Sequence, residues 1–206
     1  MKDGPLLWRP GESVEPLRSV ISRGGIVAFP TESSYGYGVD PRNPRGVDAV
    51  YRLKGRVGEK ALPVVVAGLE DLECLGVDGR LEPLEPVARI WPAALTAILP
   101  TAADLPAAAG SGSLAVRIPA HEGLRRLLRE LGPLTATSAN PSGAPPALTV
   151  GEVLSHLEGW DAAVVESPPL PGGPPSTLIR WEGRHWEVLR EGALPATALD
   201  QLRFGP

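Results

Sequence analysis

The sequence predicts one α/β domain built on a mixed sheet. Three observations lead there. Apolar runs of strand length alternate with segments of helical periodicity in the early part of the chain. Strand-like runs then follow one another toward the C-terminal end. Gly and Pro, 24 of each in 206 residues, punctuate the chain throughout, and no linker separates two halves.

Ser13 is placed to cap a short helix with Val14, Leu17, Val20 and Ile21 on one side, stopped by Gly24–Gly25. IVAF (26–29) reads as a buried strand ended by Pro30. Asn43 followed by Pro44 is a cap and first-turn pair, opening a helix through Val47, Val50 and Leu53. LPVVVA (62–67) is continuously apolar, as in a strand covered on both faces. EPVARIW (85–91) reads as helix, and LTAILP (95–100) and SLAVRIP (113–119) as strands. A helix then runs from about His121 to Leu131, closed by Gly132. LTAT (134–137) is a short strand, and Thr149 with Glu152 forms a capping box for a helix to Leu157. DAAVVE (161–166), STLIRW (176–181) and HWEVLR (185–190) are strands, the last two a hairpin through Glu182-Gly183-Arg184.

Composition narrows the function classes. The formal net charge of −4 gives no reason to expect a broad basic face for nucleic acid. The one cysteine, Cys74, excludes an intramolecular disulfide and any multi-cysteine metal site, and its apolar neighbourhood LECLG predicts a buried structural thiol. No run approaches the ~20 apolar residues of a membrane span, and the N-terminal residues do not read as a signal peptide, so no membrane role and a cytoplasmic location are expected. His121, His156 and His185 show no metal-ligand spacing, and no nucleophile elbow or Ser–His–Asp pattern stands out.

The remaining chemistry is cationic and hydroxylic. PTESSYGYGVD (30–40) follows an apolar strand and is dense in hydroxyls and glycines, so Thr31, Ser33, Ser34 and Tyr35 can face a ligand or simply form a polar turn. Lys54 and Arg56 stand two apart past a helix end, where they can clamp one anion or merely complement the helix dipole. Ser138 and Asn140 repeat that spacing in TSAN, in a chain with only two asparagines and three lysines. A serine hydroxyl and an amide can bond phosphate oxygens without adding charge, although Asn140-Pro141-Ser142-Gly143 is also an ordinary turn sequence. Arg117 lies in an apolar strand, where a charge needs either a buried acid or an anionic ligand. Ser176, Thr177 and Arg190 stand near the ends of the expected hairpin, within reach of a phosphate unless Arg190 is merely solvated.

Taken in order, these motifs resemble the YrdC/TsaC family of threonylcarbamoyl-AMP synthases. The family's PTET-x-YGLG stands here as PTESSYGYG and its K-x-R as Lys54-Gly55-Arg56. Its WPGPLT is WPAALT (91–96), its R-x-P Arg117-Ile118-Pro119, and its S-x-N Ser138-Ala139-Asn140 followed by Ser142-Gly143. ST-V and R-x-G are matched at Ser176-Thr177 and Arg190-Glu191-Gly192, so the resemblance covers about residues 12–194. The departures are Ser33 and Tyr37 for Thr and Leu, Ala93-Ala94 for Gly-Pro, Ala61 for Pro, and Ile179-Arg180 for Val-Asp.

The resemblance implies a single YrdC-like domain over residues 1–206, a twisted mixed sheet flanked by helices, and a concave positive cavity. It implies L-threonine, bicarbonate and ATP as substrates, Mg2+ held mainly through phosphates, and a nucleotidyl transfer giving threonylcarbamoyl-AMP and pyrophosphate. Partner enzymes of the tRNA-threonylcarbamoyl transfer machinery would consume that product. Carried onto this chain, Lys54, Arg56, Ser138 and Asn140 form the catalytic set. Thr31, Ser34, Tyr35, Arg117, Thr137, Ser176, Thr177 and Arg190 line the substrate and nucleotide pocket. Two alternatives stand beside this reading: a double-stranded RNA or tRNA-binding module without catalysis, and a relative making a different carbamoyl adenylate.

Overall fold

The computed structural model describes residues 4–55, 60–78, 84–141, 143–195 and 197–199. In chain order the elements are β1 (Leu6–Trp8), α1 (Glu15–Ser22), β2 (Ile26–Pro30), β3 (Tyr35–Gly38), α2 (Pro44–Leu53), β4 (Val64–Val65), α3 (Leu84–Ile90), β5 (Leu95–Pro100), β6 (Ser113–Arg117), α4 (Glu122–Leu131), β7 (Leu134–Thr135), β8 (Thr137–Ser138), α5 (Val150–His156), β9 (Ala162–Val165), β10 (Thr177–Trp181) and β11 (Trp186–Arg190).

The expectation of one mixed sheet needs correcting, because the strands form two. The first has the order β1-β9-β2-β3-β8 and the second β11-β10-β5-β6-β4-β7. Both mix parallel and antiparallel pairs: β1, β9 and β2 run parallel, while β3 pairs antiparallel with both β2 and β8. The segment read as one strand, LTAT, is where the sheets meet. It divides at Ala136: β7 pairs with β4 in the second sheet, and β8 pairs with β3 in the first. Thr135 secures the crossing, donating its N–H to the Val39 carbonyl at 2.9 Å and accepting the Val39 N–H on Oγ1 at 3.1 Å.

Strand alternation sorts the core into two apolar clusters. Ile26 and Ala28 of β2, with Ala162 and Val164 of β9, face a cluster shared with residues of the second sheet such as Leu95, Val116 and Ile179. Val27, Phe29, Ala163 and Val165 face the other way, where α1 supplies Leu17, Val20 and Ile21 and α4 supplies Leu124, Leu127 and Leu128. The first sheet is thus covered on both faces, which explains why its central strands read as unbroken apolar runs.

Helix ends follow the sequence signals closely. Asn43 Oδ1 accepts the N–H groups of Arg45 and Gly46, and Thr149 with Glu152 makes the reciprocal capping box. Gly132 closes α4 at φ 83°, a backbone region that disfavours a side chain. At α1 the cap position is Val14, one residue later than expected, and Ser13 Oγ accepts the Glu15 N–H from just outside the helix. Cys74 is exposed, not buried as LECLG suggested. It sits in a short 3-10 turn whose inward positions are taken by Leu72 and Leu75, and its thiol donates to the Asp71 carbonyl.

Two strands escaped the sequence reading. β1 is only three residues long, below the length at which alternation is visible. β3 is YGYG, and glycine lowers strand propensity. Its glycines serve packing. A Cβ on Gly38 would stand 2.4 Å from Phe29 Cε1 and 2.7 Å from the Thr135 carbonyl. Phe29 and the crossing strand therefore lie directly against a bare backbone.

The other face of β3 carries Tyr35 and Tyr37, both fully buried. Tyr35 donates its hydroxyl to the Val165 carbonyl at 3.0 Å. The Tyr37 hydroxyl is buried with no hydrogen-bond partner among the described residues, and burial pushes its pKa up to about 12. An unpartnered hydroxyl in an apolar core is a net cost. Tyr37→Phe keeps the ring and removes that cost, so it should stabilise the fold by roughly 1 kcal/mol in urea denaturation. A destabilised Phe variant would mean that the hydroxyl has a partner in solution.

Candidate active site

The predicted residues fall into three hydrogen-bonded groups, joined through backbone contacts. The first group centres on Lys54. This residue caps the C-terminus of α2 and is almost wholly buried. Its ammonium donates to the Ser138 carbonyl at 2.7 Å, the Asn140 carbonyl at 3.1 Å and Asn140 Oδ1 at 2.9 Å. Ser138 Oγ donates to the same Oδ1 at 2.6 Å, and Asn140 Nδ2 donates to the Ala144 carbonyl. The amide is thereby oriented with its oxygen toward the cation. Ser138 is exposed and Thr137 half-buried, whereas Asn140 is buried. Arg56, the second cation of the motif, lies outside the described residues.

Sheet pairing places the second group beside the first. Gly36 pairs with Ser138 and Tyr37 with Thr137, and the Ala139 N–H donates to the Tyr35 carbonyl. The turn at residues 31–34 therefore sits at the same end of the sheet as TSAN. Thr31 closes this turn, donating its N–H and its hydroxyl to the Ser34 carbonyl at 3.0 and 2.7 Å. Ser34 is half-buried, and its hydroxyl has no partner among the described residues. Tyr35 does not line a pocket with its side chain as expected. Alternation along β3 turns the ring into the core, and only its backbone faces TSAN.

Arg117 is where the sequence left two options open, a buried acid or an anionic ligand. The structure supplies an acid, Glu32, from the 31–34 turn. Glu32 Oε2 stands 2.5 Å from Arg117 Nη2, and Oε1 accepts the Ala120 N–H. Arg117 Nε also donates to the Ala93 carbonyl at 3.1 Å. Burial pushes the Glu32 carboxyl up, but the Arg117 charge and the N–H groups of Glu32 itself and Ala120 outweigh it. The net position is below the ordinary carboxylate value. Sequence reasoning missed Glu32. The available signal was a lone acid inside a hydroxyl-rich motif and an arginine in need of a counter-charge.

The WPAALT segment links this group to the third. Ala93 bonds Arg117, and the next carbonyl, Ala94, accepts the Thr177 N–H at 2.9 Å. Thr177 is fully buried, its hydroxyl donating to the Leu194 carbonyl and accepting the Gly192 N–H. Ser176 shares a 2.7 Å hydroxyl contact with Thr96. Arg190 is exposed and donates from Nε and Nη2 to the Ser176 carbonyl at 3.3 and 2.9 Å. The loop at 167–175 packs on the same region, with the Gly172 N–H donating to the Ser33 carbonyl at 2.8 Å. A separate cavity of about 510 Å3, between the β1–α1 connection and α4, is floored by Trp8, Phe29 and Leu127 and includes none of the predicted residues.

The assembled region carries Lys54, Arg117, Arg190 and exposed or half-buried hydroxyls, with one acid, Glu32, directly engaged. Among the described residues no group of three or more His, Cys, Asp or Glu is gathered to hold a metal ion, and no helix is long and apolar enough to cross a membrane.

Comparison with known proteins gives a consistent picture. A family model for Sua5, YciO and YrdC, described as telomere recombination, matches residues 19–192. A threonylcarbamoyl-AMP synthase of Photobacterium profundum is 34% identical over 160 residues, covering 75% of this chain and 86% of the relative. A threonylcarbamoyl-AMP synthase of Bacillus subtilis is 33% identical over 192 residues, covering 91% of this chain and 55% of the relative. The crystal structure of P. abyssi Sua5 complexed with L-threonine superposes with a TM-score of 0.81 at 28% identity, covering 98% of this chain and 62% of that one. The chain thus spans a little over half the length of these last two proteins.

Proposed function

The chain belongs to the Sua5/YciO/YrdC family, and from that premise we propose that it is an L-threonylcarbamoyladenylate synthase, a nucleotidyltransferase acting on L-threonine, bicarbonate and ATP. The observation that carries the reading is the buried Lys54 ammonium gathered onto the Ser138 and Asn140 oxygens, which joins two motifs that are 84 and 86 residues apart.

The chemistry suits such a site. The threonine amine and bicarbonate give a carbamate and water. A carbamate oxygen then attacks the α-phosphorus of ATP, and the bond from that phosphorus to the pyrophosphate oxygen breaks. No protein nucleophile takes part. The demands are to align the reactants and to offset negative charge growing on the phosphates, and fixed cations and hydrogen-bond donors meet both. Lys54, Arg56 and Arg190 supply positive charge, while Ser138, Asn140 and Thr137 orient phosphate oxygens. Thr31, Ser34 and Arg117 border the amino-acid side, with Ser176 and Thr177 shaping the wall between Arg117 and Arg190. An Mg2+ accompanying the nucleotide would be held mainly by phosphate oxygens and water, which is how this ion is commonly bound. The product would pass to the enzymes that transfer the threonylcarbamoyl group to tRNA.

The test is pyrophosphate release from ATP with bicarbonate and Mg2+, with and without L-threonine, and mass spectrometry for threonylcarbamoyl-AMP. Release that depends on threonine, with the adenylate detected, is the expected result. A folded protein that binds ATP yet forms no such product would overturn the proposal.

A further inference from the structure

Arg117 is the last residue of β6 in the second sheet, and the acid that faces its guanidinium comes from the first. Its Nε lies on the Ala93 carbonyl and its Nη2 beside Glu32, which stands in the turn between β2 and β3. The other Glu32 oxygen takes the Ala120 N–H, in the segment that leaves β6 and enters α4. One carboxylate therefore ties the 31–34 turn to the far side of the site. The arginine side chain is only 15% exposed. Among the described residues nothing bonds Nη1.

Two physical consequences follow. An arginine free to rotate gives up rotamer freedom when it docks a ligand, and here the Ala93 carbonyl and Glu32 already hold the guanidinium through protein contacts alone. Pre-organisation of this kind strengthens binding without adding a contact. The second consequence concerns selectivity. An uncompensated arginine attracts any anion, and polyphosphates most of all. A guanidinium beside a carboxylate is locally neutral, so a polyanion gains little there and is repelled by the acid. A zwitterion is better matched, its carboxylate on the Nη1 edge and its ammonium in the field of Glu32.

We propose that Glu32 is a positioning residue that fixes Arg117 with its Nη1 edge presented to the carboxylate of the amino-acid substrate, and that the pair selects a zwitterion over a nucleotide phosphate at this corner. The proposal deepens the synthase reading and rests on it.

Glu32→Gln is the informative change, since it removes the charge and keeps both the volume and an acceptor for the Ala120 N–H. The first measurement needs no ligand. The Arg117 Nε–H resonance, identified by its loss in Arg117→Ala, should be sharp in the wild-type protein and broadened in Glu32→Gln. The second is kinetic. Glu32→Gln should raise KM for L-threonine by about tenfold with KM for ATP within about twofold, and Glu32→Asp should recover most of the loss. Combined with Arg117→Ala, it should add no further defect. An unchanged threonine KM, an equal rise in both KM values, or multiplying defects in the double variant would overturn the proposal. If the wild-type protein shows no threonine-dependent release, the synthase reading falls with the substrate assignment. The resonance then decides the positioning role alone, and a sharp Arg117 signal in Glu32→Gln would refute it.

Discussion

Lys54→Met should lower threonine-dependent pyrophosphate release by about 10^2–10^3-fold, the range seen when a single charged or oriented donor is taken from a transition-state site. Methionine matches lysine in length and is itself a good helix former, so α2 need not suffer. What is lost is the donor. The ammonium carries three N–H donors, and among the described residues it donates to the Ser138 carbonyl, the Asn140 carbonyl and Asn140 Oδ1. The two Asn140 oxygens lie in a buried setting, where leaving acceptors without a donor costs roughly 1–3 kcal/mol. Stability should therefore fall by about 2–4 kcal/mol, and Asn140 should lose its fixed orientation.

The same geometry predicts that Lys54→Arg does not rescue activity. Among the described residues three oxygens converge on one nitrogen, which suits a compact point charge. A planar fork cannot place its donors at one point. Retained turnover in Lys54→Arg together with lost turnover in Lys54→Met would show that charge alone matters. Near-wild-type turnover in Lys54→Met would remove Lys54 from the site altogether. In the proposed reaction a phosphate oxygen would replace one of these protein acceptors, so that the residue would serve both as a knot among protein oxygens and as a cation for the substrate.

Much of the fold was legible because its signals are local. The Asn43-Pro44 start of α2, the Thr149–Glu152 box and the Gly132 stop each depend on a few adjacent residues, and each stands where expected. What was not legible depends on distant partners. Nothing within LTAT announces that the chain changes sheets at Ala136, since that division is set by β3 and β4. The glycines of YGYG hid β3 from a propensity reading, and what they make room for is Phe29, on the neighbouring strand. The site shows the same pattern. Residue type marked Lys54, Ser138, Asn140 and Arg117 as unusual, and the structure brings the first three together. The counter-charge of Arg117 comes from 85 positions away by residue number, in a turn whose hydroxyls drew attention from its acid. Tyr35 shows the opposite error. Its hydroxyl suggested a ligand contact, while strand alternation turns it into the core.

Gly192→Ala, a single added methyl group, should be among the most damaging substitutions in the chain. Gly192 follows Arg190-Glu191 where the segment after β11 lies against the start of β10. Its N–H donates to Thr177 Oγ1, and the Ala193 N–H donates to the Pro175 carbonyl. A Cβ at position 192 would stand 2.2 Å from the Pro175 carbonyl oxygen, 2.6 Å from the Ser176 carbonyl carbon and 2.7 Å from its oxygen. All three are backbone atoms, so no rotamer change relieves the contact, and the two segments must part. The cost should reach about 3 kcal/mol, the upper end of overpacking penalties. In a chain of this size that lowers Tm by roughly 6–12 °C. Activity should fall further than stability explains, because the same displacement pulls Arg190 from the Ser176 carbonyl and Thr177 from Ala94. Gly151→Ala is the control. Gly151 lies in α5, and a Cβ there meets nothing within 4 Å. That substitution should leave Tm unchanged or raise it, since alanine is favoured over glycine in a helix by up to ~1 kcal/mol. If Gly192→Ala matched Gly151→Ala in both Tm and turnover, the close approach of residues 190–194 to residues 175–177 would not exist in solution. Arg190 would then lose its place in the site.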